Sequence, residues 1–194
     1  MILRNFDVMV IGASAGGWTA LGEILPYLPP EWPLAVVVVL HLHPTSDQFH
    51  LKHFSRSCSL QVKDAEEMES LSPGVIYFAS PQYHLLIERD RTFSFSSENK
   101  VCFSRPSIDV LFESAATAYG SKVIGVILTG ANTDGAVGLL SIKEYGGTTV
   151  VQDPKTAESP CMPQAAIRAT TVDYVLDLPS MRQFFIQCSA DKYI

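Results

Sequence analysis

The segment Gly12-Ala13-Ser14-Ala15-Gly16-Gly17 fits the pattern G-x-S-x-G. This pattern makes a strand-to-helix turn that exposes a serine hydroxyl and aims backbone N–H groups at an oxyanion. The glycines permit the tight turn, and the N-terminus of the helix that follows favours negative charge. Phosphate-binding turns of nucleotide proteins use similar sequence. That use requires an acidic residue after the second strand, to hold a ribose hydroxyl. Here the second strand ends in Leu40-His41-Leu42-His43, which favours hydrolysis over nucleotide binding.

Serine is a poor nucleophile near neutral pH until a base takes its proton. His41 directly follows a buried apolar run and is the better base. His43 precedes Pro44, which ends the strand. His41 and His43 also form H-x-H, with His50 and His53 nearby. No Asp/Glu cluster completes a metal site around them, so neither a metal nor another cofactor is expected. A further strand end reads Leu128-Thr129-Gly130-Ala131-Asn132-Thr133-Asp134-Gly135. Asp134 has two readings. It either orients His41 and stabilises the imidazolium, or caps the helix that follows it, where Asn would serve as well. The chain order Ser–His–Asp differs from the Ser–Asp–His order of α/β-hydrolases.

Positioning such residues requires strands that end together. The apolar runs Asp7–Ile11, Leu34–Leu40, Val75–Ala79, Val123–Leu128, Thr148–Val151 and Tyr174–Leu176 read as strands, with Leu60–Val62 a short seventh. Helices are expected over Trp18–Leu28, Gln48–Ser55, Ser107–Tyr119, Gly135–Tyr145, Pro163–Ala169 and Pro179–Cys188. His84–Glu88 and Thr92–Ser96 flank Arg89-Asp90-Arg91 and read as an antiparallel hairpin. The fold class is therefore α/β: a mostly parallel, doubly wound sheet with helices on both faces and one β-hairpin. Sites in such sheets lie at the carboxyl ends of the strands.

The composition agrees. The 194 residues, 47% of them hydrophobic, suffice for one domain over 1–194 with a full core. A net charge of −6 argues against nucleic-acid binding, which needs a basic surface. Cys58, Cys102, Cys161 and Cys188 form no CxxC and are expected to be buried, reduced thiols. The longest apolar run is too short to span a bilayer, and Asp7 interrupts any signal-peptide core. A cytoplasmic setting without membrane insertion is expected.

These residues together resemble the catalytic domain of the chemotaxis protein-glutamate methylesterases, the CheB family. The likeness runs through Ile11–Gly17, His41, Tyr83–Glu88, Arg105–Ala116, Val123–Leu139, Tyr145–Glu158 and Met162–Ile167. The resemblance implies a serine hydrolase that removes methyl groups from glutamate γ-methyl esters on chemoreceptor helices and also deamidates receptor glutamines. It assigns the nucleophile to Ser14, the base to His41 and the orienting carboxylate to Asp134. It places Ala15, Ala131 and Asn132 around the oxyanion and substrate. Many members have Thr where this chain has Ala15, and Met-Gly where it has Ala131-Asn132. Gln is common where Leu40 stands. Members usually carry a phosphorylatable receiver domain, and these 194 residues contain none; if they are the whole protein rather than a fragment of a larger one, activity independent of phosphorylation is expected. A non-catalytic relative that binds a receptor or signalling partner is the alternative.

Overall fold

A computed structural model describes residues 6–41 and 49–190. Seven strands form one parallel sheet: β1 (Val8–Ala13), β2 (Ala35–Leu40), β3 (Gln61–Asp64), β4 (Val75–Phe78), β7 (Val123–Ile127), β8 (Thr148–Gln152) and β9 (Tyr174–Leu176). Between β4 and β7, β5 (His84–Ile87) and β6 (Phe93–Ser96) pair as the expected antiparallel hairpin. The sheet order is β3-β4-β2-β1-β7-β8-β9. The chain winds outward from β1 through β2 in one direction and later through β7 in the other. That reversal makes the end of β1 the topological switch point, where open α/β sheets place their sites.

Every residue of β1, β2 and β7 is buried, which is why their sequences are unbroken apolar runs rather than alternating ones. Alternate side chains still serve opposite faces. Met9, Ile11, Val36 and Val38 join one core with α1 (Gly17–Gly22), α2 (Phe49–Ser57) and α6 (Leu178–Ala190). Val8, Val10, Val37 and Val39 join the other with the hairpin, α3 (Ile108–Tyr119), α4 (Ala136–Glu144) and α5 (Cys161–Ala169). Each fully buried side chain of this size contributes about 1.5–3 kcal/mol.

The helix expected over Trp18–Leu28 is two pieces, α1 and a single 3-10 turn at Leu25–Tyr27. Pro26 lacks the N–H that would continue an α-helix, so the first helix stops at Gly22 and the turn restarts with proline in its first positions. The cysteines are half-buried and free rather than fully buried. Burial still pushes the Cys58 thiol up to about 11, despite a hydrogen bond with Ser57 that opposes the shift. No described helix is long and apolar enough to cross a membrane.

Candidate active site

Parallel pairing brings the first two predicted residues to one level. Ala13 and Leu40 are register partners, so Ser14 and His41 leave adjacent strands side by side. The His41 N–H donates to the Ala13 carbonyl at 3.0 Å, and the Ser14 N–H donates to the Thr129 carbonyl at 3.0 Å. Ser14 thus sits between the ends of β2 and β7. The Gly17 N–H closes the turn on the Ser14 carbonyl at 2.8 Å.

Two glycines are required here. Gly16 has a φ of +75°, and a Cβ there would strike the Glu158 side chain. Gly130 lies directly against the serine: its Cβ would run into the Met162 side chain and the Ser14 Cβ. Thr129 locks this corner. Its hydroxyl donates to the Ala15 carbonyl at 2.8 Å and accepts from the Ser159 N–H at 2.8 Å. Its own N–H donates to Gln152 Oε1 at 2.9 Å. The ends of β1, β7 and β8 are therefore tied together under the serine turn.

His41 and Asp134 meet as the sequence predicts: Nε2 stands 3.0 Å from Asp134 Oδ2. The Asp134 side chain is fully buried, whereas 13% of the His41 side chain remains exposed. Asp134 also accepts from the Ser107 hydroxyl (2.8 Å), the Ile108 N–H (2.8 Å) and the Asp109 N–H (3.0 Å). Burial by itself would raise its carboxyl. The hydrogen bonds from His41, Ile108, Asp109 and Ser107 outweigh that cost and hold it below the usual carboxylate range. An ionised Asp134 can only accept, so Nε2 carries the proton and Nδ1 the lone pair. Nδ1, which faces the Asn132 amide at 3.5 Å, is then the nitrogen whose lone pair can take a proton.

The capping expectation is half correct, and the correction concerns the helix. Asp134 does accept helix N–H bonds, but from the first turn of α3. The helix that follows it, α4, begins after Gly135 with no side-chain cap of its own. Its Gly138 N–H is instead taken by Asp109 Oδ1 at 2.7 Å. Each helix is capped by a carboxylate from the other's neighbourhood. This exchange is possible because Gly138 lets α4 approach the Asp109 backbone closely.

Of the remaining predicted residues, Ala15 contributes the carbonyl held by Thr129, and Ala131 is exposed. Asn132 reaches the site: Nδ2 stands 3.5 Å from His41 Nδ1 and donates to Ser104 Oγ at 3.3 Å. Its Oδ1 accepts from the Asp134 N–H at 3.2 Å, which fixes the loop. Sequence reasoning missed Ser107 and His84. His84 Nδ1 accepts from the Ser107 N–H at 3.1 Å, and its Nε2 donates to the Asn99 carbonyl at 3.0 Å. The one signal for Ser107 was its place as a helix N-cap after Pro106.

His43 lies outside the described residues. His50 Nε2 is 3.7 Å from Asp64, and His53 packs on the Trp18 ring. Neither converges on His41. The donor atoms of Cys102, Asp109 and Asp134 do lie within 4.8 Å of one another. Both Asp134 oxygens and one of Asp109 are already occupied by N–H and O–H donors, so this cluster is a hydrogen-bond junction.

The sequence matches the family model described as CheB methylesterase over residues 9–185. It is 53% identical over 183 residues to a provisionally named protein-glutamate methylesterase/protein-glutamine glutaminase of Leptospira interrogans, covering 94% of this chain and 95% of that one. It is 38% identical to a Paraburkholderia xenovorans protein-glutamate methylesterase/protein-glutamine glutaminase, covering 93% of this chain but only 50% of that longer relative. The fold superposes on the crystal structure of the Thermotoga maritima CheB methylesterase catalytic domain with a TM-score of 0.90. That match covers 95% of this chain and 99% of the other at 34% identity.

Proposed function

The chain belongs to the CheB methylesterase family, and from that membership we propose that it hydrolyses glutamate γ-methyl esters on chemoreceptors in the cytoplasm, with glutamine deamidation as a second activity. The relatives' names supply the substrate class. One observation carries the mechanism: a buried, ionised Asp134 holds the His41 imidazole at 3.0 Å, one strand away from Ser14.

Ser14 Oγ attacks the ester carbonyl carbon as its proton passes to His41 Nδ1. Nε2–H stays on Asp134, whose charge stabilises the imidazolium. The tetrahedral oxyanion rests on backbone N–H groups near Ala15. Collapse breaks the bond to the methoxy oxygen, which takes the proton from Nδ1 and leaves as methanol. Water then attacks the glutamyl ester of Ser14 and gives its proton to Nδ1. The second collapse returns that proton to Ser14 and frees the glutamate carboxyl group, which gives its remaining proton to solvent. A glutamine side chain follows the same path with ammonia as the leaving group. The reading requires no cofactor.

The test has two arms, a serine-directed fluorophosphonate with adduct mapping and methanol release from a glutamate γ-methyl ester. The adduct should fall on Ser14, and Ser14→Ala should lower turnover by a factor near ~10⁶ without unfolding the chain. A folded Ser14→Ala protein that keeps most of its activity removes the mechanism. A wild-type chain that neither reacts nor hydrolyses is the non-catalytic relative.

A further inference from the structure

The segment from β6 to α3 carries a feature that the proposed chemistry does not use. Val101 and Ser104 close a tight reverse turn: the Val101 N–H donates to the Ser104 carbonyl at 3.2 Å, and the Ser104 N–H donates to the Val101 carbonyl at 2.8 Å. The two residues between them, Cys102 and Phe103, have φ of +48° and +63°. Turns with both central residues at positive φ favour Asn-Gly or Asp-Gly, because a side chain there is strained. This turn spends that strain on a cysteine and a phenylalanine. Phe103 gains nothing from the fold in return. Its residue is 97% exposed, whereas Met68, the next most exposed large apolar residue described, is at 73%.

The turn stands at the rim of the candidate active site. Ser104 Oγ accepts from Asn132 Nδ2, and the same Nδ2 stands 3.5 Å from His41 Nδ1. The turn is also braced from behind, since Arg105 Nη1 donates to the Ser97 and Glu98 carbonyls at 2.8 and 3.0 Å. A strained but braced turn thus holds an aromatic ring in solvent, one residue from a side chain wired to the base.

We propose that Phe103 is a docking residue for the protein substrate, an apolar anchor that meets the helical segment bearing the esterified glutamate. This rests on the reading of Ser14 as nucleophile. A glutamate ester is carried on a short side chain, so bringing its carbonyl to Ser14 draws the substrate's backbone against the rim. A protruding ring there is desolvated by the substrate's apolar side chains beside the ester. Rigid aromatic anchors of this kind supply a large share of binding energy at small interfaces. A small ester lacks that surface and reacts without touching the ring.

The test compares two substrates in the full chain: a methyl-esterified chemoreceptor fragment and N-acetyl-glutamate γ-methyl ester. Phe103→Ala should lower kcat/KM on the protein substrate at least tenfold, through KM, and leave the small ester within twofold. Phe103→Trp should retain protein-substrate activity. Phe103→Gly relieves the positive φ, so it should melt above the wild type and still lose protein-substrate activity. Unchanged turnover of the protein substrate by Phe103→Ala overturns the proposal, as do equal losses on both substrates. A wild type that hydrolyses the small ester but not the protein overturns the docking role while sparing the esterase. A wild type inactive on both overturns the esterase reading as well.

Discussion

Asp134 and Asp109 are buried carboxylates at one helix–helix junction, yet the fold drives them in opposite directions. Asp134 collects four donors and is held below the usual carboxylate range. Asp109 is raised to about 6, first by burial and further by the charge of Asp134, with the Gly138 N–H only partly compensating. Burial raises both; the number of donors decides the direction of the net shift. Asp134 spends its charge on His41, whereas Asp109 joins two helices. The contrast separates a carboxylate that the chemistry needs ionised from one whose proton the fold holds more tightly.

The largest expected effect removes the group that receives Asp134's charge. His41→Ala should cost about as much turnover as Ser14→Ala, a factor near ~10⁶, because nucleophile and base act as one unit. Turnover of a small glutamate ester by the folded variant measures it. A variant with most of its activity intact would leave Asp134 as a helix cap alone.

Asp134→Asn comes next, with a loss of roughly 10⁴ in turnover from the wrong imidazole tautomer. The structure adds a second expectation. An asparagine amide would set an NH₂ against either the Ile108 N–H or the Asp109 N–H, both of which the carboxylate now accepts. The variant should therefore also lose about 1–3 kcal/mol of stability, read from urea unfolding. An ordinary cap replacement would leave stability nearly unchanged.

Ser107→Ala removes one donor to Asp134 and the N-cap of α3 together. A loss of about 1–2 kcal/mol is expected, with turnover reduced by no more than about tenfold. A larger kinetic effect without loss of stability would place Ser107 beside the substrate rather than beneath it.

The smallest effect belongs to Asp109. Its raised carboxyl keeps a proton in the folded chain after the unfolded chain has released it. That contribution is full below its ordinary value of 3.8 and is lost as pH climbs through about 6. Asp134 behaves oppositely: its contribution is present above 3.8 and is lost as pH falls through its lowered value. Asp109→Asn should flatten the stability profile between about pH 4 and 6. Its amide oxygen can still accept from Gly138, so turnover at neutral pH should stay near the wild-type rate. An unchanged profile would show that Asp109 titrates as an ordinary carboxyl.

Most of this arrangement was legible because it lies at the ends of apolar runs. Leu34–Leu40 and Val123–Leu128 announce buried parallel strands, and Gly12–Gly17 announces the turn that follows β1. Once the strand ends are known, Ser14, His41 and Asp134 fall at the expected edge of the sheet. The crossed capping of α3 and α4 was not legible. A sequence shows which carboxylate precedes a helix but not which distant helix turns its N–H groups toward it. The Val101–Ser104 turn was equally hidden. Positive φ is signalled by Gly or Asn, and here tertiary bracing imposes it on Cys102 and Phe103. The break in the first helix was visible at Pro26, but the periodicity of Trp18–Leu28 obscured it.

The central place of β1 has a consequence for how the chain is made. β1 has β2 on one side soon after it leaves the ribosome, but its other neighbour is β7, Val123–Ile127. Synthesis at roughly 5–20 residues per second delays β7 by on the order of 5–20 s. During that interval the apolar edge of β1 is an open template for pairing with other chains. Newly made protein truncated before β7 should collect in aggregates and yield no esterase. Only chains that extend through β7 can cover this edge of β1 and bring Thr129 up against the serine turn.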